Sequence, residues 1–245
     1  MSMFLLLPPS EGKAPGGTPA GGPDNFSKPL KAKRAAVLDG IKHLLQNKDA
    51  DSLAKILGVR GENLARAVDA YQAMLAGHHL VLPAWQRYTG VVWSALEPAT
   101  LSEQRRGQIL IPSALYGITT GLDQIADYRL TFKVALPKIG NLSKFWKYEL
   151  DDVLLGCGTD VTIVDLLPVE HASVLDFGML AEHAHVIRVE FVKADGGGAA
   201  GHRAKAVKGL VARHLLDEGI EALGKFKVSG WRVRNIGDTI QIVEV

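Results

Sequence analysis

Met3 to Leu7 is an unbroken apolar run that Pro8 and Pro9 bring to a stop. A short apolar segment bounded by breakers predicts a buried strand at the start of the chain. Over residues 28–78 the period changes. Leu30, Arg34, Val37, Leu38, Ile41, Leu44 and Leu45 recur at helical spacing, and Asp51-Ser52 and Gly58 supply a cap and a stop for a second helix. A third helix is predicted from about Glu62 to Leu75. Apolar, aromatic-bearing segments follow at 80–82 and 91–96, a buried strand at 108–112, a helix at 142–155 and strands at 160–167 and 186–192. A helix at 202–216 comes next, and the tail, 226–245, predicts a hairpin turning at 235–238. Strands interleave with helices, no repeat of roughly 20–50 residues is present, and no linker divides the chain. The prediction is an α/β (mixed α+β) fold, one domain over residues 1–245. Its central mixed sheet is flanked by helices, with a helical insertion at 28–78 after the first strand.

Composition narrows the function classes. At 245 residues the chain can bury a large core, and 47% hydrophobic with 22% charged residues is a globular composition. A net charge of +2 does not demand a polyanionic partner, so any nucleic-acid reading must rest on where cations cluster. The single cysteine, Cys157, excludes an internal disulfide and a multi-cysteine zinc site. No apolar run approaches the roughly 20 residues of a spanning helix, and the first strand lacks the flanks of a signal peptide. The expectation is a cytoplasmic protein with no membrane association, no metal and no cofactor; composition does not set the oligomeric state.

Candidate chemistry begins where the first strand ends. Ser10, Glu11, Gly12 and Lys13 follow the two prolines, and strand ends are where α/β proteins place their sites. The segment is not a phosphate-binding P-loop, since one glycine precedes the lysine and no helix opens after it. Lys13 can still hold an anion as a point charge, Ser10 can donate to it, and Glu11 is a candidate base. Residues 14–25 are glycine, proline and small residues, readable as a mobile lid or as a plain connector. Arg87-Tyr88 offers a guanidinium and a phenol to a ligand, or a structural pair. Tyr116 follows the 108–112 strand, and Asp123 and Arg129 are either a fold-ordering ion pair or direct contacts.

On the 202–216 helix, Lys205, Lys208 and Arg213 fall on one arc with His202, while Val207, Leu210 and Val211 fall opposite and Leu216 blurs the pattern. This predicts a helix packed on one side and facing an anion on the other. Leu57-Gly58-Val59-Arg60-Gly61 has two readings. It is either a plain helix–turn–helix packing element or a helix-hairpin-helix that points backbone N–H groups at a DNA phosphate.

Taken together, Leu6-Leu-Pro-Pro-Ser-Glu-Gly-Lys13, Arg87-Tyr88 with Gly90-Val-Val, Ser113-Ala-Leu-Tyr-Gly117, Leu122-Asp123, Tyr128-Arg129-Leu130, Phe145-Trp146, and Lys205 with Gly209 and Arg213 resemble the YaaA-like peroxide-stress protein family over nearly the whole chain. Three departures stand out. Asp165-Leu-Leu-Pro-Val-Glu-His171 occupies the place of an Asn-Leu-Ala-Ser-x-Glu-Tyr stretch, Lys208 stands for an arginine, and His214 replaces an aromatic. Lysine at 208 keeps the charge and loses bidentate geometry. The resemblance implies a cytoplasmic protein tied to hydrogen peroxide defence, a basic cleft, a helix-hairpin-helix and double-stranded DNA as partner; it supplies no reaction. The residues themselves also support an enzyme acting on a phosphorylated or nucleotide-like small molecule. In that reading Glu11 and Lys13 are the catalytic candidates. Ser10, Lys13, Arg87, Tyr88, Tyr116, Arg129, Lys205, Lys208 and Arg213 are the ligand- or phosphate-binding candidates.

Overall fold

The computed structural model describes residues 2–20, 28–158 and 160–245. Seven strands form its main sheet: β1 (Ser2–Leu6), β2 (Ile109–Ser113), β3 (Gly117–Thr120), β4 (Val161–Asp165), β5 (His185–Lys193), β6 (Trp231–Ile236) and β7 (Thr239–Glu244), in the spatial order β6-β7-β5-β4-β1-β2-β3. The five inner strands are mutually parallel, and β3 and β6 close the two edges antiparallel. This is the mixed α/β fold that the alternation of apolar runs and helical periods predicted. Parallel inner strands are covered on both faces and therefore read as continuous apolar runs. β2 and β4 are buried at every position, and Leu5, Leu6 and Leu7 are fully buried. Each such leucine stabilises the fold by about 2 kcal/mol.

Between β1 and β2 lies the predicted helical insertion, α1 (Lys31–Asn47), α2 (Ala50–Leu57) and α3 (Glu62–Leu75); of the two apolar, aromatic-bearing segments after it, one is a strand at Leu80–Pro83 and the other the short helix α4 (Val91–Leu96). The cap of α2 is Asp49, whose carboxylate accepts the Ser52 N–H at 2.8 Å, ahead of the predicted cap at Asp51-Ser52, and Gly58 closes the helix in the left-handed region. The last helix, α5 (Gly201–Glu218), packs on α4 through Gly209, where a Cβ would lie 2.3 Å from the Val92 carbonyl oxygen.

Three expectations are corrected. The helix predicted over 142–155 is two pieces, Leu142–Trp146 and Glu149–Leu155, broken where Lys147 turns extended and Tyr148 takes φ 71°. Neither residue is a breaker in sequence. Residues 14–20, read as half of a mobile lid or connector, are instead fastened. Thr18 and Pro19 pair antiparallel with Val81 and Leu80, and that strand pairs in turn with Gln124–Ala126. The remainder of that segment, 21–25, lies outside the described residues. The tail hairpin forms, but its strands meet at Ile236 and Thr239 around a two-residue Gly237-Asp238 turn.

The connectivity decides where a site can lie. From β1 the chain moves to β2 on one side, and from β4 it moves to β5 on the other. β1 and β4 are neighbours whose outgoing connections diverge, which opens a crevice beyond their carboxyl ends.

Candidate functional site

That crevice is a cavity of about 490 Å³. The segment after β1, Pro8 to Lys13, forms one wall, and Pro168, Glu170 and His171 after β4 form another. Lys205 and Lys208 of α5, the turn Leu57-Gly58-Val59 after α2, the start of α4 and Tyr128 to Phe132 complete it.

Lys13 is 8% exposed. Its ammonium donates to the Ser10 carbonyl at 2.7 Å and lies 4.2 Å from the centroid of the Tyr128 ring and 5.4 Å from that of Tyr88. Burial, with the Arg129 cation nearby, lowers its pKa to about 7. The Tyr128 hydroxyl joins those of Tyr88 and Ser113, each at 2.8 Å, and burial raises both tyrosine pKa values, so this chain of hydroxyls stays neutral. Ser10 is buried, and its Oγ occupies the space that a Cβ at Gly90 would need, 2.2 Å away. That contact accounts for the glycine after Tyr88-Thr89. Glu11 is exposed on the cavity wall.

Helix α3 holds the backbone of this wall. Arg66 donates to the Lys13 carbonyl at 2.8 Å and is ion-paired with Asp127. The Tyr71 hydroxyl donates to the Arg129 carbonyl and accepts the Arg129 N–H. On α4, the Trp93 indole N–H donates to the Pro8 carbonyl at 3.1 Å. The sequence reading missed all three, because an arginine and an aromatic on an amphipathic helix look like surface and core.

Across the cavity, the Lys208 ammonium donates to the Leu166 carbonyl just past β4 and lies 4.9 Å from the Phe191 ring centroid. Burial lowers its pKa to about 8, against the opposing pull of Asp165. Asp165, itself buried and raised in pKa by desolvation, accepts the Leu167 N–H at 2.8 Å. His171 packs edge-on against Phe132, and its buried Nδ1 has no hydrogen-bond partner among the described residues; burial lowers its pKa. So the stretch that departs from the family pattern lies in the cavity wall. In the sequence its histidine is marked only as the last residue of that departing stretch.

The cavity therefore gathers Ser10, Glu11, Lys13, Arg129, Lys205 and Lys208. It does not gather the other candidates. Arg87 is 1% exposed and donates to the carbonyls of Ala14, Gly16, Leu80 and Ile125. Tyr88 is buried behind Lys13 in the hydroxyl chain. The Tyr116 hydroxyl accepts the Ala126 N–H at 2.9 Å and the ring packs on Tyr128. Asp123 accepts the Thr120 N–H at 2.7 Å and orders a turn. Arg213 is paired with Asp217 and donates to Thr100 Oγ1. The single basic arc on α5 thus divides, with lysines toward the cavity and the arginine on the turn after α4. Leu210 of the predicted packing face is exposed, whereas Leu216 is buried. Among the described residues, no group of three or more His, Cys, Asp or Glu is arranged to hold a metal ion, and no helix is long and apolar enough to cross a membrane.

Residues 3–236 match the family described as peroxide stress protein YaaA. A UPF0246 protein of Streptomyces coelicolor is 32% identical over 226 residues, 89% of this chain and 84% of its own. One of Corynebacterium glutamicum is 32% identical over 223 residues, 87% and 84% respectively. One of Bacteroides fragilis is 28% identical over 191 residues, 74% of each chain.

Proposed function

The chain belongs to the peroxide stress protein YaaA family, and from that premise we propose that it serves the cytoplasmic response to hydrogen peroxide through a small anionic molecule bound, and acted on, in the cavity at the ends of β1 and β4. The observation that carries this reading is the convergence of Lys13, Arg129, Lys205 and Lys208 with Ser10 and Glu11 on about 490 Å³. That volume suits one small ligand. Arg129 and Lys205 have no side-chain partner among the described residues, so their charges are available to a phosphate or carboxylate. Glu11 is the acid–base candidate at the rim. A phosphorylated or nucleotide-like compound is the ligand class that these groups suit.

Calorimetry with glycerol 3-phosphate and adenosine monophosphate tests it. Saturable one-to-one binding that Arg129→Ala and Lys205→Ala weaken is the expected result. Absence of saturable binding by both compounds overturns the reading.

Duplex DNA is the second reading. Its support is that Leu57 at the end of α2 and Gly58 and Val59 in the turn to α3 border the cavity, with Arg60 adjoining in the turn. A helix-hairpin-helix at this turn and a basic cleft continuing from it would contact phosphates. Binding of a 20-base-pair duplex would then fall steeply with salt and show little sequence preference. A duplex affinity unchanged by Arg60→Ala removes this reading.

A further inference from the structure

Resting on the small-molecule reading of the cavity, we infer that its ligand carries an aldehyde or ketone as well as an anionic group, and that Lys13 Nζ condenses with that carbonyl to form an imine. The cavity's cations fall into two kinds. Arg129 and Lys205 have no side-chain partner among the described residues, and they suit the permanent charge of a phosphate or carboxylate. Lys13 sits differently. Among the described residues no carboxylate lies within ion-pair distance of it, since Asp127 pairs with Arg66. Its one hydrogen-bond partner among those residues is the Ser10 backbone carbonyl, the rings of Tyr128 and Tyr88 lie against it, and the carboxylates of Asp127 and Glu11 pull on it only weakly against its burial and the Arg129 charge.

A lysine that is desolvated and also close to another cation is the arrangement that frees an amine to act as a nucleophile. With its pKa near 7, Lys13 is substantially neutral at physiological pH. That makes it a poor anion clamp and a good attacking group. A neutral Lys13 needs one N–H for the Ser10 carbonyl, a bond given up when the imine closes, and keeps its lone pair for attack on the ligand.

The step needs no oxidant or reductant. The Nζ lone pair adds to the carbonyl carbon, a C–N bond forms and the C=O π electrons move to oxygen. One proton passes from nitrogen to that oxygen, giving a carbinolamine. The C–O bond then breaks, the second N–H proton leaves with the departing hydroxide as water, and the C=N bond remains. Lysine and carbonyl compound are thereby converted to imine and water.

Reductive trapping tests the inference on the unaltered protein. Glyceraldehyde 3-phosphate is added at neutral pH, the mixture is reduced with borohydride, and the modified peptides are mapped by mass spectrometry. The expected result is one adduct per chain, on Lys13, formed at least about tenfold faster than on any other lysine, because exposed lysines are almost wholly protonated at that pH. Glycerol 3-phosphate, which has the anion but no carbonyl, should slow it in proportion to its occupancy. Adducts spread over exposed lysines without preference for Lys13 overturn the imine. If glycerol 3-phosphate still binds in calorimetry, the anion-site reading survives that loss. Trapping on Lys13 that glycerol 3-phosphate neither slows nor competes with keeps the imine chemistry and removes the anion site.

Discussion

Lys13 and Arg87 stand on paired segments, since Lys13 bridges to Tyr88, and both are buried cations. Their surroundings are opposite. The guanidinium of Arg87 reaches four backbone carbonyls and fastens residues 14–16 to the strand Leu80–Pro83 and to Ile125. The ammonium of Lys13 reaches one carbonyl and otherwise faces two aromatic rings and a cavity. A planar five-donor fork can be saturated by backbone alone, whereas a buried amine with one carbonyl keeps capacity for a ligand. The number of satisfied donors, more than charge or burial, separates the structural cation from the ligand-facing one. Breaking each in turn tests the contrast. Arg87→Met leaves four carbonyls without their charged donor and should lower unfolding free energy by about 3–5 kcal/mol, at roughly 1.5–3 kcal/mol for each of the better bonds. Lys13→Met removes a desolvated charge and should leave stability at pH 7 equal or higher. Urea denaturation of the two variants, read as a midpoint shift at constant slope, checks both.

The same contrast predicts a pH dependence. In the unfolded chain Lys13 keeps its proton to about pH 10.5, whereas in the fold it releases it at about 7. Between those values the unfolded state binds more protons, so raising the pH favours the folded state. Lys208 acts in the same direction from about pH 8 upward. One unit of pKa is about 1.4 kcal/mol, and water entering the cavity limits the net swing from Lys13 to about 2–3 kcal/mol. The wild-type urea midpoint should therefore climb between pH 7 and about 9, below the range in which Cys157 and the buried tyrosines, raised in pKa, act in the opposite direction, and the climb should flatten in Lys13→Met without vanishing, because Lys208 remains. A wild-type midpoint that falls across this window removes the assignment of Lys13 as a buried, near-neutral amine.

The pattern of apolar runs made the inner strands β1, β2 and β4 legible, because parallel strands buried on both faces carry an uninterrupted apolar signal, whereas β5 was legible from the alternation of apolar and polar residues. The strands Gly117–Thr120 and Gln124–Ala126 gave no such signal. They are four and three residues long, too short to show a period, and the turn residues Gly121 and Asp123 stand between them. Of the site, the residues that follow β1 were legible from a strand ending in prolines and polar groups. Arg66 and Tyr71 were not, because their role is to hold the backbones of Lys13 and Arg129 from a helix about 60 residues away in the chain. Helical periodicity on α5 put Lys205, Lys208 and Arg213 on one arc, yet periodicity says nothing of what faces each turn. At one turn it is the cavity; at another it is the Glu97–Thr100 segment.

Helix α5 therefore repeats the Lys13–Arg87 contrast on a smaller scale. Lys205 is exposed and lines the cavity. Lys205→Ala should leave the urea midpoint unchanged and weaken glycerol 3-phosphate binding about tenfold, close to 1.4 kcal/mol, the scale of one charge-assisted contact. An affinity unchanged in calorimetry would place the ligand's anion elsewhere on the cavity wall.

Arg213 should do the reverse. It is half-buried, pairs with Asp217 one turn along the same helix, and donates to Thr100 Oγ1. Asp217 also holds Arg105, so Arg213→Ala leaves that carboxylate one cation instead of two. The loss is thus cushioned, and partly solvated i,i+4 pairs contribute little on their own. The expected cost is about 1 kcal/mol in urea denaturation, with the Thr100 bond accounting for most of it. Glycerol 3-phosphate affinity should stay within about twofold of wild type, less than the change that 1 kcal/mol would produce. Arg213→Lys sharpens the point. It keeps the charge but cannot reach Asp217 and Thr100 with one planar group. If charge toward a ligand were the role of this residue, lysine would restore binding. If packing of the α5 end on the turn after α4 is its role, lysine should recover only part of the lost stability and leave binding where alanine left it.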